Sequence, residues 1–400
     1  MKRRVVITSL GVVSSLGKTA AEIQASLHDG MVSFDFFAED SQVVVAPVNN
    51  FDLKSYTGKF KEKRYLHRGS ALALAAALDA VSSSGLEKEE RKEMGLFVGA
   101  GPYLDIGTEF PSIENGVIQR RGMDALWILR FLPNTAASLI AQSCGIHGES
   151  LTTGTACTAS LAAIGEAFRR IRDGYLDRAL AGGGDSRLNP GSILAYEKAG
   201  VLAHTDDSPR EASRPFDQER MGFVSGEGAG FFLLEEREQA LARGAKIWAE
   251  VVGYGSSMDG YRMTAPAPDG LMAMKAVRQA TADAGEELAA LDFIAAHGTG
   301  TSLNDQIEAQ IIESLFPERT PPVIALKSWI GHLSTACGAV ELAIILAAQA
   351  EGFLPEIRNL QQPVSPRIDF VSARRSLGGK LFLLENFGFG GQNAALVIRR

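Results

Sequence analysis

Short runs of β-branched and aliphatic residues that end in glycine alternate along this chain with alanine-rich stretches of helical period. Residues 4–11 read as a buried strand, 69–86 as a helix and 94–101 as a second strand. A second cycle opens at residues 246–255, continues through a helix at 271–284 and reaches a strand at 293–296. The alternation predicts an α/β layered fold, and the likeness of the two cycles predicts an internal duplication. Its boundary falls near residues 235–244, dividing the chain into an N-terminal half, 1–240, and a C-terminal half, 241–400. Three glycine-dense segments, 181–185, 222–230 and 387–391, read as loops that let backbone approach a ligand or turn a corner. None of them fits a dinucleotide or P-loop fingerprint.

Composition narrows the function without naming it. A chain of 400 residues that is 46% hydrophobic and 22% charged can bury a site, and it is unlike a disordered protein. The net charge of −7 supplies no global basic field for a nucleic-acid backbone. Three cysteines without C-x-x-C spacing argue against a disulfide framework and suit a reducing compartment, so the expected location is the cytoplasm. The basic start, Met1-Lys2-Arg3-Arg4, precedes an apolar run that mimics a signal peptide, but its Val/Ile alternation reads better as a strand. No stretch reaches the ~18 to 20 apolar residues of a membrane span; the nearest, residues 338–348, carries Glu341.

Cys157 stands in Thr155-Ala156-Cys157-Thr158, directly before a run with Leu161, Ile164, Phe168 and Ile171 at helical spacing. A sulfur at a helix N-terminus faces unpaired N–H groups and the positive end of the macrodipole, which favour the thiolate. An acyl acceptor is one reading and a buried packing residue the other. Cys144 and Cys337, set among apolar neighbours, read as packing.

Two of the six histidines sit on glycine-rich turns. His297 closes a short apolar strand and leads into Gly298-Thr299-Gly300-Thr301, whose threonines are placed to hold the ring. His332 ends Lys327-Ser328-Trp329-Ile330-Gly331-His332, ahead of an apolar helix containing Glu341. Carbon–carbon bond formation by decarboxylation needs an acyl thioester as electrophile and a polar cradle for the enolate. Cys157 supplies the first and the imidazoles the second. Lys327 is placed to position His332 or tune the field, with Glu341 holding Lys327. No H-x-x-x-H or H-E-x-x-H spacing occurs, so no metal site is expected.

Taken in order, Thr155-Ala156-Cys157, Arg214-Pro215-Phe216-Asp217, Gly222-Phe223-Val224, Gly226-Glu227-Gly228-Ala229-Gly230, His297-Gly298-Thr299-Gly300-Thr301, Asn304-Asp305, Lys327-Ser328, Gly331-His332, Glu341 and Asn386-Phe387-Gly388-Phe389-Gly390-Gly391 resemble the β-ketoacyl-[acyl-carrier-protein] synthases of the thiolase superfamily, in their elongating Cys-His-His branch. The resemblance spans the whole chain. It implies a five-layered αβαβα fold of two pseudo-symmetric halves, usually dimeric, with Cys157 from the first half facing His297 and His332 from the second. It further implies an oxyanion hole from the N–H groups of Cys157 and Phe389, and support of the site by Lys327, Glu341, Thr299 and Thr301. Phe223, Phe387, Phe389 and Asp259 would contact or gate the substrate, Phe389 as a swinging gate and residues 259–270 as the facing mobile loop. No cofactor is implied beyond the phosphopantetheine arm of an acyl carrier protein. Carriers are acidic, so a local basic patch is expected; Lys59, Lys61, Lys63 and Arg64, with Arg120, Arg121 and Arg130, are the candidates.

Several positions depart from the family's pattern. Thr335 and Cys337 replace a usual Gly and Ala, Ser302 a Pro, Met221 an acidic residue and Gln392 a threonine. These leave open a specialised polyene or polyketide synthase, as a homodimer or paired with a nonidentical partner. A thiolase would need a second cysteine in segment 387–391, which has none. A noncatalytic chain-length partner would lack the nucleophile, whereas Cys157 is present.

Overall fold

The structure is a computed structural model and describes residues 2–102, 113–119, 125–377 and 379–400. Ten strands carry its plan: β1 (Val5–Val13), β2 (Gly95–Gly99), β3 (Ser150–Thr153), β4 (Arg178–Ser186), β5 (Ser225–Glu236), β6 (Ala249–Met258), β7 (Phe293–Ala295), β8 (Val323–Ile324), β9 (Leu381–Gly388) and β10 (Gln392–Arg399). They run in the order β8-β7-β9-β10-β6-β1-β5-β4-β2-β3. In the first half β2 lies parallel to β3 and β4, and β5 lies antiparallel to β4 and β1. In the second, β7 lies parallel to β8 and β9, and β10 antiparallel to β9 and β6. Each half therefore repeats the other strand for strand, and the two join through a short antiparallel pairing of β1 with β6.

The helices repeat as well. α1 (Arg68–Ser82) and α2 (Thr135–Cys144) cover the outer face of the first half; α4 (Leu271–Ala284) and α5 (Ser302–Leu315) cover that of the second. α3 (Ala159–Arg172) and α6 (Cys337–Ala350) pack together between the two sets of strands. The result is the predicted αβαβα layering. A helix in a central layer meets protein on every side, and every residue of α6 from Cys337 to Gln349 is buried. That explains the near-continuous apolar run there, and no helix among the described residues is long and apolar enough to cross a membrane.

Two glycine-rich segments are not loops. Residues 181–185 lie inside β4, and 226–230 inside β5. Their glycines serve close approach: a Cβ on Gly182 would lie 2.0 Å from the Gly230 carbonyl oxygen, and one on Gly226 would lie 2.4 Å from that of Ile330. The third segment, 387–391, is the β9–β10 hairpin turn with its flanks.

Candidate active site

Cys157 lies in a single 3-10 turn, Ala156–Thr158, between β3 and α3. Ala156 is held at φ 49°, the left-handed region that costs a residue with a side chain. The second half repeats this turn: Ser334 has φ 50° at the head of Ser334–Ala336, and a 14-residue helix follows each turn. In that register Thr335 is the counterpart of Cys157. The thiol is half-buried, and burial pushes it up to about 11 against the opposing pull of Lys327 and of the Phe389 and Cys157 N–H groups. The helix-start position read from the sequence is correct, but the low thiol pKa expected from it is not, because desolvation outweighs the favourable dipoles.

Cys157 Sγ and one ring nitrogen each of His297 and His332 lie within 4.8 Å of one another. Both histidines are buried. The imidazoles meet edge to face, with centroids 5.7 Å apart. His332 is strapped to the start of β5, its N–H donating to Val224 O (2.7 Å) and its carbonyl accepting from Gly226 N (2.9 Å). The Ser334 N–H donates to His332 Nδ1 at 3.0 Å. A nitrogen that accepts carries no proton, so the neutral ring keeps its hydrogen on Nε2. Phe223 stacks on the same ring at 4.8 Å. His297 Nδ1 faces the Asn386 amide at 3.4 Å, which favours the same tautomer. Burial, with Lys327 second, holds His297 well below its ordinary value and His332 down to about 3. Both rings are neutral donors at physiological pH.

Lys327, 1% exposed, donates to Glu341 Oε1 and to the His297 carbonyl, each at 2.6 Å. Burial alone would pull its ammonium down, but Glu341, Cys337 and Glu308 together outweigh it and the group is held above its ordinary value. Its hydrogen bond goes to the backbone of His297 and not to His332, so of the two expected roles the one that holds is tuning the field felt by both imidazoles. Asn386 ties the pair in by donating to Glu341 Oε2 at 2.9 Å. The threonines also differ from expectation. Thr299 Oγ1 pairs with Thr301 Oγ1 (2.9 Å) and donates to Asp305 (3.3 Å), so they hold the loop and not the imidazole.

Buried carboxylates that the sequence reading did not assign fix that loop. Glu308 accepts the N–H groups of His297 (2.6 Å) and Gly298 (2.8 Å), and Asp305 accepts those of Thr299 (3.0 Å) and Phe216 (2.7 Å). Burial, with Asp305 second, raises Glu308 to about 7, and burial with Glu308 beside it raises Glu385 well above the usual carboxylate range. The signal that could have found Glu308 is its place one turn beyond Asp305, on the helix following the His-Gly-Thr-Gly-Thr run.

These groups open onto a cavity of about 630 Å³. Cys157, His297, His332, Phe223, Phe387, Phe389, Asp259, Thr299 and Thr301 all line it; Lys327 and Glu341 lie behind its surface. The segment after β6 is docked on the β9–β10 turn: Asp259 accepts from Asn393 (2.6 Å) and Ala267 N (2.9 Å), and Gly390 N donates to Met263 O (2.6 Å). Of the basic candidates, Lys59, Lys61, Lys63 and Arg64 are exposed. The turn Lys61–Tyr65 packs against the turn Trp127–Arg130, of which Arg130 is the last residue; Arg120 and Arg121 lie outside the described residues. Cys144 is a buried packing residue as read, whereas Cys337 Sγ lies 4.0 Å from His332 Nδ1, against the site. One thiol and two imidazoles are also a donor set for a soft cation, though the Lys327 ammonium beside them repels one.

Comparison with known proteins agrees with this architecture. A 3-oxoacyl-[acyl-carrier-protein] synthase 2 from Synechocystis is 34% identical, over 100% of this chain and 98% of its own. The ishigamide ketosynthase/chain length factor superposes with a TM-score of 0.89 at 31% identity, covering 100% of this chain and 99% of that one. A type II PKS acyl-carrier protein in complex with its ketosynthase bound to the hexaketide gives 0.89 at 28% identity, with 100% of both chains covered. Residues 2–240 match the profile of the Beta-ketoacyl synthase, N-terminal domain, and residues 248–361 that of the Beta-ketoacyl synthase, C-terminal domain. With both profiles met by one chain whose two halves bring a cysteine and two histidines together, the protein belongs to the β-ketoacyl synthase family.

Proposed function

We propose that this enzyme makes 3-oxoacyl-[acyl-carrier-protein] by decarboxylative condensation, in fatty-acid or related polyene or polyketide synthesis. The Cys157 sulfur displaces the phosphopantetheine thiol of an acyl carrier and holds the chain as a thioester. A malonyl carrier then enters and loses CO2, and the resulting enolate attacks the thioester carbon and releases the Cys157 thiolate. The observation that carries this reading is the convergence of one sulfur and two neutral imidazoles on one cavity. The Cys157 and Phe389 N–H groups that bear on the sulfur are placed to receive the thioester oxyanion. Lys327 and Glu341 act by fixing His297, and the Phe389 turn with the docked segment 259–270 forms the gate. No cofactor is needed. Incubation with acyl carrier and malonyl carrier should yield a 3-oxoacyl carrier two carbons longer, read by mass spectrometry. Fully loaded carriers that give no such product would remove the reading.

The carrier docks on the basic patch of Lys59, Lys61, Lys63, Arg64 and Arg130, its acidic face opposite theirs. Reversing Lys61 and Arg64 together to glutamate should raise KM for carrier-bound substrate by roughly tenfold at low salt and leave kcat nearly unchanged. An unaltered KM would take the patch out of the docking site.

The halves divide at residues 240/241, within the short helix Arg237–Ala242 that links β5 to β6. The enzyme works as a dimer in the cytoplasm. β3 ends the strand order, so its outer edge has no partner among the described residues, and its Leu151 is 39% exposed. An edge of this kind is a template for another chain. Sedimentation at micromolar concentration should return twice the 42.7 kDa chain mass, and a monomer there would exclude a homodimer.

A further inference from the structure

Two acidic side chains meet beneath the loop that carries His297. Glu385 stands on β9 one residue beyond the pairing of Leu384 with Ala295, and Glu308 approaches it from α5. Both are buried, Glu385 at 0% and Glu308 at 1% exposure. Glu308 has three donors: the N–H groups of His297 (2.6 Å) and Gly298 (2.8 Å) and the Asn304 amide (3.0 Å). Neither oxygen of Glu385 meets a donor among the described residues, and what faces it is the Glu308 carboxylate. The nearby cations are engaged elsewhere. Lys327 is bonded to Glu341 and the His297 carbonyl, and Arg220 to the carbonyls of Asp217, Thr301 and Ser302, 3.9 Å from Asp305. Asn386, which follows Glu385, turns its amide to Glu341 and to the Glu385 carbonyl.

An ionised carboxylate with neither donor nor cation is strongly disfavoured in an interior, and two in contact cannot both carry charge. Ionised carboxylates are acceptors only, so a bond between two of them requires a proton. Burial, with Glu308 second, raises Glu385 well above the usual carboxylate range, in keeping with that geometry. We propose that Glu385 and Glu308 share one proton through neutral pH, and that Glu385, as the donor that fixes Glu308, positions His297 through the two backbone N–H groups that Glu308 accepts. Glu385 is thus a positioning residue that acts through Glu308. Its effect on His297 rests on the condensation reading, whereas the shared proton does not.

Infrared spectra at neutral pH should show the carbonyl stretch of a protonated carboxyl that Glu385→Gln lacks, and identical spectra overturn the proposal. Stability gives an independent measure. A carboxyl that keeps its proton in the folded state makes folding less favourable as pH rises, from its ordinary value of 4.5 upward until the pair ionises. Glu385→Gln keeps a neutral donor without that slope, so its Tm relative to the wild type should climb by roughly 5 °C between pH 5 and pH 8. A constant difference overturns the proposal. So does a wild-type Tm that potassium or magnesium chloride raises above matched choline chloride while the variant's stays put, since a cation would then stand in the proton's place. For the effect on His297, release of labelled CO2 by preformed acyl-enzyme should fall about tenfold in Glu385→Leu and by less in Glu385→Gln, with acyl-Cys157 formed normally in both. Equal losses reduce Glu385 to packing and overturn its positioning role. A wild type that acylates but releases no CO2 fails instead at the condensation reading, and the infrared and thermal results then still judge the proton.

Discussion

Replacing Cys157 by alanine should abolish covalent capture of the acyl chain and lower condensation by roughly a thousandfold or more, because the step that splits one hard reaction into two loses its nucleophile. Intact-mass measurement after incubation with acyl carrier reads this directly: the wild type gains the acyl mass and Cys157→Ala does not. Acylation persisting in the variant would move the nucleophile elsewhere, with Cys337, beside His332, the next residue to test. The thiol also makes a prediction about pH. Burial pushes it up to about 11, so the reactive thiolate is a small fraction at neutral pH and grows as pH rises. Alkylation by iodoacetamide should therefore accelerate about tenfold per unit from pH 7 to 9. A rate already flat above pH 7 would mean that α3, Lys327 and the two N–H groups together outweigh desolvation. Transfer at neutral pH then draws on that small thiolate fraction, which Lys327 and the Phe389 and Cys157 N–H groups favour, because the two imidazoles carry their protons on Nε2 and act as donors.

The cluster of Cys157, His297 and His332 was legible in the sequence because each member sits where a local signal changes. Cys157 precedes a helical period, His297 ends an apolar strand at a glycine, and His332 follows Gly331 before another apolar helix. The repeated plan was legible too, since strand and helix periods recur in both halves. What escaped depends on contacts across the halves. The bonds that Thr335 donates to Asp185 join residues 150 positions apart, and the run 181–185 carries the composition of a loop although tight packing makes it a strand. Of the two roles expected of Lys327, tuning the field holds, since it pulls both imidazoles down, while its hydrogen bond goes to His297 and not to His332, its nearer neighbour in sequence. Glu308 and Glu385 are ordinary glutamates until folding buries them side by side beneath the loop that carries His297. The basic patch is intermediate, because its lysines were visible as a run while the nearness of the turn that carries Arg130 needed two 3-10 turns to pack together.

The histidines should separate from the cysteine by the step at which they fail. Each single variant, His297→Ala or His332→Ala, retains one neutral imidazole near Cys157 and should still acylate, slowed by no more than about tenfold. Condensation should fall much further. The enolate formed as CO2 leaves places negative charge on the malonyl thioester oxygen, and the two Nε2–H groups are its donors. Removing one such donor from an enclosed site typically costs a factor of ~10² to 10³. Release of labelled CO2 from malonyl carrier, measured beside acyl-enzyme mass, distinguishes the steps: acyl-Cys157 should accumulate while CO2 release collapses. Variants that cannot acylate would assign the imidazoles to the first step, and normal CO2 release would remove them from the second. The pH profile adds a further constraint. Burial and Lys327 hold His332 down to about 3 and His297 well below its ordinary value, so both rings stay neutral as pH falls through 6.5. Decarboxylation by preformed acyl-enzyme should consequently be flat from pH 5 to 8, and an inflection near 6.5 would show an imidazole titrating in a site wetter than this cavity.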